Sequence, residues 1–329
     1  MNKKGILSLL LVLTLLLGGC VLNPEKQDDT PRYSPVLELT EPEITEPTEP
    51  EPTLPPLPAT DTTPPADLGL TAHTAFVYDP QLSCMLYLGG DGDAPLAPAS
   101  LTKLMTSYTA RQIMDADHII TAGNEVDWID PMSSRAWVGA GHQLTVEMLI
   151  QGMMMPSGND AAYVIAVGGG RVLAEDPQLD SQMALNVFMD EMNAQARALG
   201  MVNSHFVNPD GIDAEGHYTT ANDLAILATA VLQDELIMTY AGTAAAEVVF
   251  ASGESITWKN SNCLLHPEME KYYTPEAVGM KTGSTENAGK CLISAFLRED
   301  DTYLIIGVLG STEDLLRYDD TLILYDMYR

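Results

Sequence analysis

The chain has 329 residues, 46% of them hydrophobic, with 46 acidic against 16 basic side chains and a formal net charge of −30. A polyanion of this strength repels nucleic acid, so nucleic acid is excluded as a partner. The hydrophobic fraction is sufficient for a packed core, which excludes disorder of the whole chain. Four cysteines, without Cys-x-x-Cys or His-x-x-x-His spacing, are too few for a disulfide-built scaffold and predict no metal site.

Residues 1–20 have the features of an export signal. Lys3 and Lys4 precede a largely apolar run over residues 6–17, which is too short to span a bilayer comfortably. The run ends in Leu17-Gly18-Gly19-Cys20, which resembles the bacterial lipobox, where signal cleavage leaves the cysteine as the acylated first residue. We expect lipidation of this cysteine and anchoring at the extracytoplasmic face of the bacterial cell membrane. An uncleaved anchor and an ordinary cleavage site are the alternatives.

Residues 21–67 are predicted to be a disordered linker rich in proline, glutamate and threonine. Residues 21–70 have eleven acidic and two basic side chains, and twelve of the 21 prolines fall between Pro24 and Pro65. Missing N–H donors and mutually repelling carboxylates prevent helix and sheet. Roughly 45 residues would reach about 140 Å as extended polyproline II and about 40 Å as a flexible coil. We expect either a tether that holds the folded domain above the membrane or a tail without a spacing role.

Residues 68–329 are predicted to form the folded domain, which remains strongly acidic at a net charge of −23 over residues 71–329. Short β-prone runs at 75–79 and 84–88 predict a hairpin, and helical periodicity follows from Ser100 to about Gln233. The clearest helical segments are 145–152, 161–167, 183–199 and 220–232, the later strands are 277–282, 291–297 and 302–309, and helical spacing returns at 312–328. Strict βαβ alternation is absent, which argues against a doubly wound parallel sheet. We expect an α+β fold, in which an antiparallel sheet is flanked by helices beside a helical region.

The first of three chemical motifs is Ser100-Leu101-Thr102-Lys103. It places a serine near the start of a helix and a lysine three residues later on the same face. A serine hydroxyl is a weak nucleophile until a base takes its proton, and lysine can be that base where burial or a nearby cation lowers its pKa. By itself, however, Ser-x-x-Lys is also the pattern of a capping serine and a solvated lysine on a surface helix.

The second and third motifs are Ser157-Gly158-Asn159 and Lys281-Thr282-Gly283-Ser284. In isolation the second favours a plain N-cap, in which Ser157 or Asn159 accepts helix N–H groups. The third is a strand running into a turn, where the glycine would let another backbone approach closely and the lysine would bring a cation. Each motif occurs once, in this order, with the serines 57 residues apart and the second lysine 124 residues further on. Together they are typical of the penicillin-binding and serine β-lactamase group.

Over about residues 70–329 the sequence resembles the bacterial serine-type D-alanyl-D-alanine carboxypeptidases, which are low-molecular-mass penicillin-binding proteins. The resembling segments include 157–162, 206–211, 217–224, 279–285 and 288–292. The resemblance implies a β-lactamase/penicillin-binding transpeptidase-like fold. It implies removal of the terminal D-Ala from peptidoglycan stem peptides that end in D-Ala-D-Ala, and β-lactams as acylating inhibitors. It also implies that no cofactor is needed.

The resemblance further implies roles for the motif residues. Ser100 would be the acyl-enzyme nucleophile and Lys103 its general base. Ser157 would relay a proton toward the leaving D-Ala, while Asn159 would orient the substrate's peptide carbonyl and help hold the base.

The remaining roles implied by the resemblance concern substrate binding. Lys281, Thr282 and Gly283 would lie on the strand that receives the substrate, with the cation and the hydroxyl near its terminal carboxylate. The backbone N–H of Ser284, with that of the nucleophile, would form the oxyanion hole. We also expect the Lys281 charge to lower the pKa of Lys103.

Five other conspicuous residues are assigned no chemistry. Asp210 stands in an Asn-Pro-x-Gly turn, and His217 is expected to be a structural hydrogen-bonding residue. Cys84, Cys263 and Cys291 are an odd number and are expected to be buried free thiols.

Three other activities remain alternatives. Class A β-lactamases have a Glu-x-x-Leu-Asn segment that activates the deacylating water, whereas residues 182–186 here begin with Gln182, so fast penicillin hydrolysis is not expected. A β-lactam or muropeptide binding module without turnover would retain the nucleophile but not release the acyl group. An endopeptidase or transpeptidase would use the same site on a crosslinked peptide or with another amine.

Overall fold

The computed structural model describes residues 68–329, so the predicted signal peptide, Cys20 and the predicted linker lie outside the described residues. The strands of this part are β1 Thr74–Asp79, β2 Cys84–Gly89, β3 Ile119–Thr121, β4 Gln143–Thr145, β5 Ala245–Val249, β6 Ser255–Lys259, β7 Ala277–Thr285, β8 Gly289–Leu297 and β9 Tyr303–Ser311. The main sheet has five antiparallel strands in the order β2-β1-β9-β8-β7. The predicted N-terminal hairpin and the three later strands are therefore confirmed, and β3–β4 and β5–β6 are additional short pairs.

The main sheet separates two apolar layers because successive side chains of a strand point to opposite faces. In β8, Ile293 packs into the layer on the side of the helical region, whereas Leu292 and Phe296 pack into the opposite layer with Tyr318 and Leu324. Both layers exclude solvent, so the central strands β8 and β9 are buried over most of their length. The antiparallel sheet with helices on its faces confirms the expected fold class.

The helices are α1 Thr102–Ile113, α2 Val146–Met154, α3 Asn159–Leu173, α4 Ser181–Leu199, α5 Ala221–Leu232, α6 Glu235–Ala241 and α7 Leu316–Tyr328. Several have the side-chain caps that satisfy free N–H groups of a first turn. Thr145 accepts a hydrogen bond from Met148 N, and Thr220 accepts one from Asp223 N. All the predicted helical segments are confirmed with extended or trimmed ends, and α6 was not predicted.

Helices α3 and α4 pack in close contact beside the sheet. A Cβ at Gly170 would lie 1.8 Å from the Ala184 carbonyl oxygen, so only glycine allows this approach. The contact fixes α3, whose first residue is Asn159 of the second motif. The packing of the helical region thereby sets the position of that amide.

Within residues 68–329, no single helix is long and apolar enough to cross a membrane. The successive helices α5 and α6 satisfy the length and composition criteria together but are bent by 105°.

Candidate active site

The first motif lies where a short 3-10 turn, Ala99–Leu101, leads into α1. Ser100 is half-buried in this turn, and Lys103 lies in the first turn of α1 with a fully buried side chain. The Lys103 Nζ is 2.8 Å from the Ser100 Oγ. The structure therefore brings the predicted nucleophile and base into direct contact, and the solvated surface lysine that the motif alone allowed is wrong.

Two further oxygen atoms hold the Lys103 amine. Its Nζ donates to Asn159 Oδ1 at 2.7 Å and to the Asp210 backbone carbonyl at 2.6 Å. Both oxygens can only accept. A neutral amine has two N–H groups and one lone pair, so with its N–H groups on these two acceptors its lone pair faces the Ser100 hydroxyl. This is the arrangement a base needs to take the Ser100 proton.

The charge state of Lys103 is set mainly by burial. Burial lowers the pKa of Lys103 to about 8, while the carboxylates of Asp210 and Asp160 oppose the change. The expected lowering by Lys281 is wrong, since that residue does not contribute to the shift. The reason is that Lys281 is itself buried, and burial, with the charges of Lys103 and Arg317, holds its pKa well below the ordinary value. A neutral amine exerts little field on its neighbour.

The second motif joins the same cluster through its serine. Ser157 is buried with a left-handed backbone, at a φ of 62°, and its Oγ accepts a hydrogen bond from Lys281 Nζ at 2.9 Å. The N-cap of α3 is Gly158, with no side-chain capping bond. The plain N-cap interpretation of this motif is therefore wrong, because both of its polar side chains point to lysines of the other motifs.

The loop before the second motif is fixed by a buried carboxylate. Asp160 accepts hydrogen bonds from the backbone N–H groups of Ala136 at 2.8 Å and Val138 at 3.0 Å. Trp258 Nε1 donates to the Ala136 carbonyl at 3.0 Å. These bonds hold the loop against the start of α3, and they make the turn that carries Ser157 rigid.

The third motif lies at the end of β7, at the edge of the main sheet. A Cβ at Gly283 would lie 3.1 Å from Ala99 Cβ and 3.3 Å from Ser100 N, so the close backbone approach predicted for this glycine is confirmed. Thr282 Oγ1 is hydrogen-bonded to Ser261 Oγ at 2.6 Å. The strand therefore passes directly beside Ser100, with the Ser284 backbone one residue further along.

Sequence reasoning missed two residues of this region. The Asp210 carbonyl was given no role because a backbone atom has no side-chain signature, and only its Asn-Pro-Asp-Gly turn marked the position. Arg317 of α7 donates through Nη1 to the Gly283 carbonyl at 3.0 Å and to the Cys291 carbonyl at 3.3 Å. Basic residues are few in so acidic a chain, which is an available signal, but the sequence does not say that Arg317 is buried or which strand it contacts.

His217, which was assigned no side-chain chemistry, is held by hydrogen bonds on both ring nitrogens. His217 is buried, accepts a bond from Val207 N at Nδ1, and contacts Thr102 Oγ1 through Nε2 at 2.9 Å, which agrees with the expected structural role. Burial lowers its pKa to about 4.

The three described cysteines differ in burial. All three described cysteines are free, as expected, but only Cys291 is buried, because Cys84 and Cys263 are half-buried. Within residues 68–329 no group of three or more His, Cys, Asp or Glu side chains could hold a metal ion.

The sequence and structure were matched by one family and by several known relatives. Residues 59–313 match the family described as D-alanyl-D-alanine carboxypeptidase. The chain belongs to this family. The D-alanyl-D-alanine carboxypeptidase DacC of Escherichia coli K12 is 34% identical over 70% of this chain, which spans 55% of that relative. DacF of Bacillus subtilis 168 is 28% identical over 75% of this chain, which spans 59% of it. The chain thus spans little more than half the length of these family members.

A similar solved structure is covered over nearly its whole length. The crystal structure of the Streptomyces K15 DD-transpeptidase superimposes with a TM-score of 0.70 at 29% identity, covering 80% of this chain and 98% of that one. The D-alanyl-D-alanine carboxypeptidase of Streptomyces sp. K15 is 33% identical over 80% of this chain and 88% of its own length. These matches confirm the penicillin-binding, β-lactamase-like fold expected from the sequence.

Proposed function

We propose that the protein is a serine D-alanyl-D-alanine carboxypeptidase that removes the terminal D-alanine from peptidoglycan stem pentapeptides. One observation carries the proposal: the buried Lys103 Nζ is 2.8 Å from the half-buried Ser100 Oγ. An amine whose pKa is about 8, in contact with a hydroxyl, is the nucleophile and base pair that acyl transfer requires. Membership of the carboxypeptidase family supports D-Ala-D-Ala as the substrate.

Acylation begins when Ser100 Oγ attacks the carbonyl carbon between the two D-alanines. The Ser100 proton passes to the Lys103 lone pair, and the carbonyl π electrons move onto its oxygen. The backbone N–H groups of Ser100 and Ser284 are proposed to receive this oxyanion, a feature worth about a hundredfold or more in rate per donor. Asn159 orients the substrate's peptide carbonyl and holds the Lys103 amine through Oδ1.

The leaving D-alanine departs when the C–N bond breaks and its nitrogen takes a proton. We propose that the Ser157 hydroxyl relays that proton from Lys103 to the leaving nitrogen. Lys281 orients this hydroxyl by its hydrogen bond. Lys281 and Thr282 would lie near the carboxylate of the departing residue. An ester between Ser100 and the shortened peptide remains.

Water completes the turnover. It attacks the ester carbonyl and gives a proton to Lys103. The C–O bond to Ser100 then breaks, the departing Ser100 oxygen takes the proton back from Lys103, and the peptide acid is released. A β-lactam would acylate Ser100 in the same way, with its ring amide as the bond that opens. Because that leaving group stays attached to the acyl chain, β-lactams are expected to act as long-lived acylating inhibitors.

The proposed function is tested by free D-alanine released from an acyl tripeptide ending in D-Ala-D-Ala, using the full chain in detergent. Ser100→Ala should abolish release. Ser107→Ala is the matched control, because Ser107 lies in α1, directly after the turn that carries Ser100, and its buried Oγ has no hydrogen-bond partner among the described residues. Absence of release by the folded wild-type chain would contradict the carboxypeptidase assignment.

Two additional arms distinguish the alternatives. Glycylglycine is added as an acceptor, since the solved relative is named a DD-transpeptidase. Transfer of the acyl group to it in preference to water would indicate a transpeptidase. Stable labelling by a fluorescent penicillin, without D-alanine release from linear or crosslinked peptides, would indicate a binding module without turnover.

We also propose that Cys20 is lipidated and that residues 21–67 tether the domain at the extracytoplasmic face of the membrane. The supporting observations are the lysines, the apolar run and the Leu-Gly-Gly-Cys sequence. In a bacterial host fed tritiated palmitate, the wild-type chain should be labelled and sediment with membranes. Cys20→Ser should lose the label, while Cys84→Ser should keep it. An unlabelled wild-type chain would exclude the lipid anchor.

A further inference from the structure

Two cationic side chains flank the Gly283–Ser284 end of β7. Arg317 Nη1 donates to the Gly283 carbonyl at 3.0 Å, and Lys290 Nζ donates to Ser284 Oγ at 2.8 Å. The chain has only 16 basic residues against 46 acidic ones, and two of the basic side chains, from α7 and β8, bond to adjacent residues of β7. Their combined field extends over the part of the strand that lies beside Ser100.

Both cations face one carboxylate, that of Asp314 in the loop between β9 and α7. Asp314 Oδ1 is 2.7 Å from Arg317 Nη2 and 3.9 Å from Lys290 Nζ. The Asp314 side chain is 59% exposed, compared with 33% for Lys290 and 7% for Arg317. The carboxylate therefore opposes the cationic field from the solvent side of the strand.

A field of this kind acts on the charge of the leaving group. A peptide ending in D-Ala-D-Ala has a free carboxylate on the residue that departs, whereas an amidated or extended peptide has none there. Cations beside the strand favour the free carboxylate, and a carboxylate of the protein among them reduces that preference.

We propose that Asp314 determines specificity, as a positioning residue that acts through Arg317 and Lys290. It lowers the preference of the site for substrates with a free C-terminal carboxylate, and so admits peptides whose terminal residue is amidated or extended. This inference rests on the proposed function, because it concerns the leaving group of that reaction.

Asp314→Asn separates charge from geometry. An asparagine Oδ1 can still accept from Arg317 Nη2, and Arg317 keeps its bonds to the carbonyls of Gly283 and Cys291. The substitution therefore removes a negative charge while leaving the arginine in place. Glu313→Gln is the matched control, since it removes an exposed negative charge one residue away that makes no ion pair among the described residues.

The experiment measures kcat/KM of the full chain for an acyl-D-Ala-D-Ala peptide and for the same peptide with a C-terminal amide. Asp314→Asn should raise the acid-to-amide ratio by about threefold to tenfold, which allows for solvent screening of an exposed charge. The change should lie in KM for the acid, because its carboxylate is charged in both the ground state and the transition state. Added salt should reduce it.

Asp314→Ala is a second variant that removes the acceptor as well, and it should raise the ratio in the same direction if the charge is responsible. A ratio that stays constant or falls in Asp314→Asn, or that rises equally in Glu313→Gln, would overturn the inference while leaving the proposed function intact. A wild-type chain that hydrolyses neither peptide would overturn both.

Discussion

Gly211 is the position at which one added methyl group should do most damage to the site. Its φ of +91° is disfavoured for any residue with a Cβ, and a Cβ there would lie 1.8 Å from the Ala99 carbonyl oxygen and 2.9 Å from Thr102 Oγ1. Carbon and oxygen atoms in contact are normally about 3.5 Å apart, so the backbone beside Ser100 would have to move by about 1.5 Å or more. Gly211→Ala therefore displaces Ser100 and, through the adjacent Asp210 carbonyl, Lys103.

The size of the effect follows from these two costs. The left-handed backbone adds about 1–2 kcal/mol, and the displaced contacts bring the loss in the free energy of unfolding to about 3–5 kcal/mol. A misplacement of about 1 Å at reacting atoms lowers the rate about a hundredfold. Gly211→Ala should therefore lose most of its kcat/KM for D-alanine release even at temperatures where it remains folded.

Gly216→Ala is the control for this experiment. Gly216 lies in the same loop with a φ of +79°, but the nearest atom to its added Cβ would be Val207 Cγ1 at 3.8 Å. It should lose only about 1–2 kcal/mol of stability, with unchanged kcat/KM. Urea unfolding and D-alanine release are measured on both variants. Equal stability and equal activity of the two would refute the reasoning that the contact with Ala99 positions the nucleophile.

Three more predictions concern titration and stability. Because the pKa of Lys103 is about 8, kcat/KM should rise with pH with a midpoint near 8, and a midpoint near its ordinary value would contradict its assignment as the base. His217 has a pKa of about 4, lowered from 6.5, so the unfolded chain binds its proton more readily between these values. The free energy of unfolding should therefore fall by up to about 3 kcal/mol from pH 6.5 toward 4, and a urea-unfolding series in which His217→Gln keeps the full slope would exclude this cause. Asp320→Asn should lower the free energy of unfolding by about 3 kcal/mol in the same assay. Asp320 Oδ2 accepts from Thr71 N, Thr71 Oγ1 and Ser311 Oγ, and an amide nitrogen in its place cannot accept. A loss below about 1 kcal/mol would contradict this role.

Much of the fold was predictable because its long elements repeat a local pattern. The β-prone run of β1 and the helical spacing of α4 are visible within a dozen residues, and both elements were placed close to their observed bounds. Helix α6 has seven residues, and strands β3 and β4 have three each, too few for a period to be distinguished. Their structure depends on neighbours that are distant in sequence.

The site was predictable as a set of side chains but not as an arrangement of charges and backbone atoms. Ser100, Lys103 and Asn159 were selected by their motifs and do lie together. The acceptor that completes the Lys103 environment is a carbonyl of residue 210, and every residue type has a carbonyl. Burial was among the causes expected to lower the Lys103 pKa, but the added contribution of Lys281 was wrongly expected, because a sequence shows a neighbouring lysine but not that lysine's own burial.

The three contacts of the Lys103 amine have a consequence for the order of folding. Its partners lie 3, 56 and 107 residues away along the chain, in the turn before α1, on α3 and in the loop before α5. Helix α1 can form locally. Until α3 and the loop before α5 pack against it, however, the Lys103 amine is solvated, has its ordinary pKa and is not oriented toward Ser100. Chemical reactivity is therefore acquired only when the long-range contacts close. Covalent capture of Ser100 by a penicillin would report completed tertiary structure, and a partly folded chain would be chemically inert.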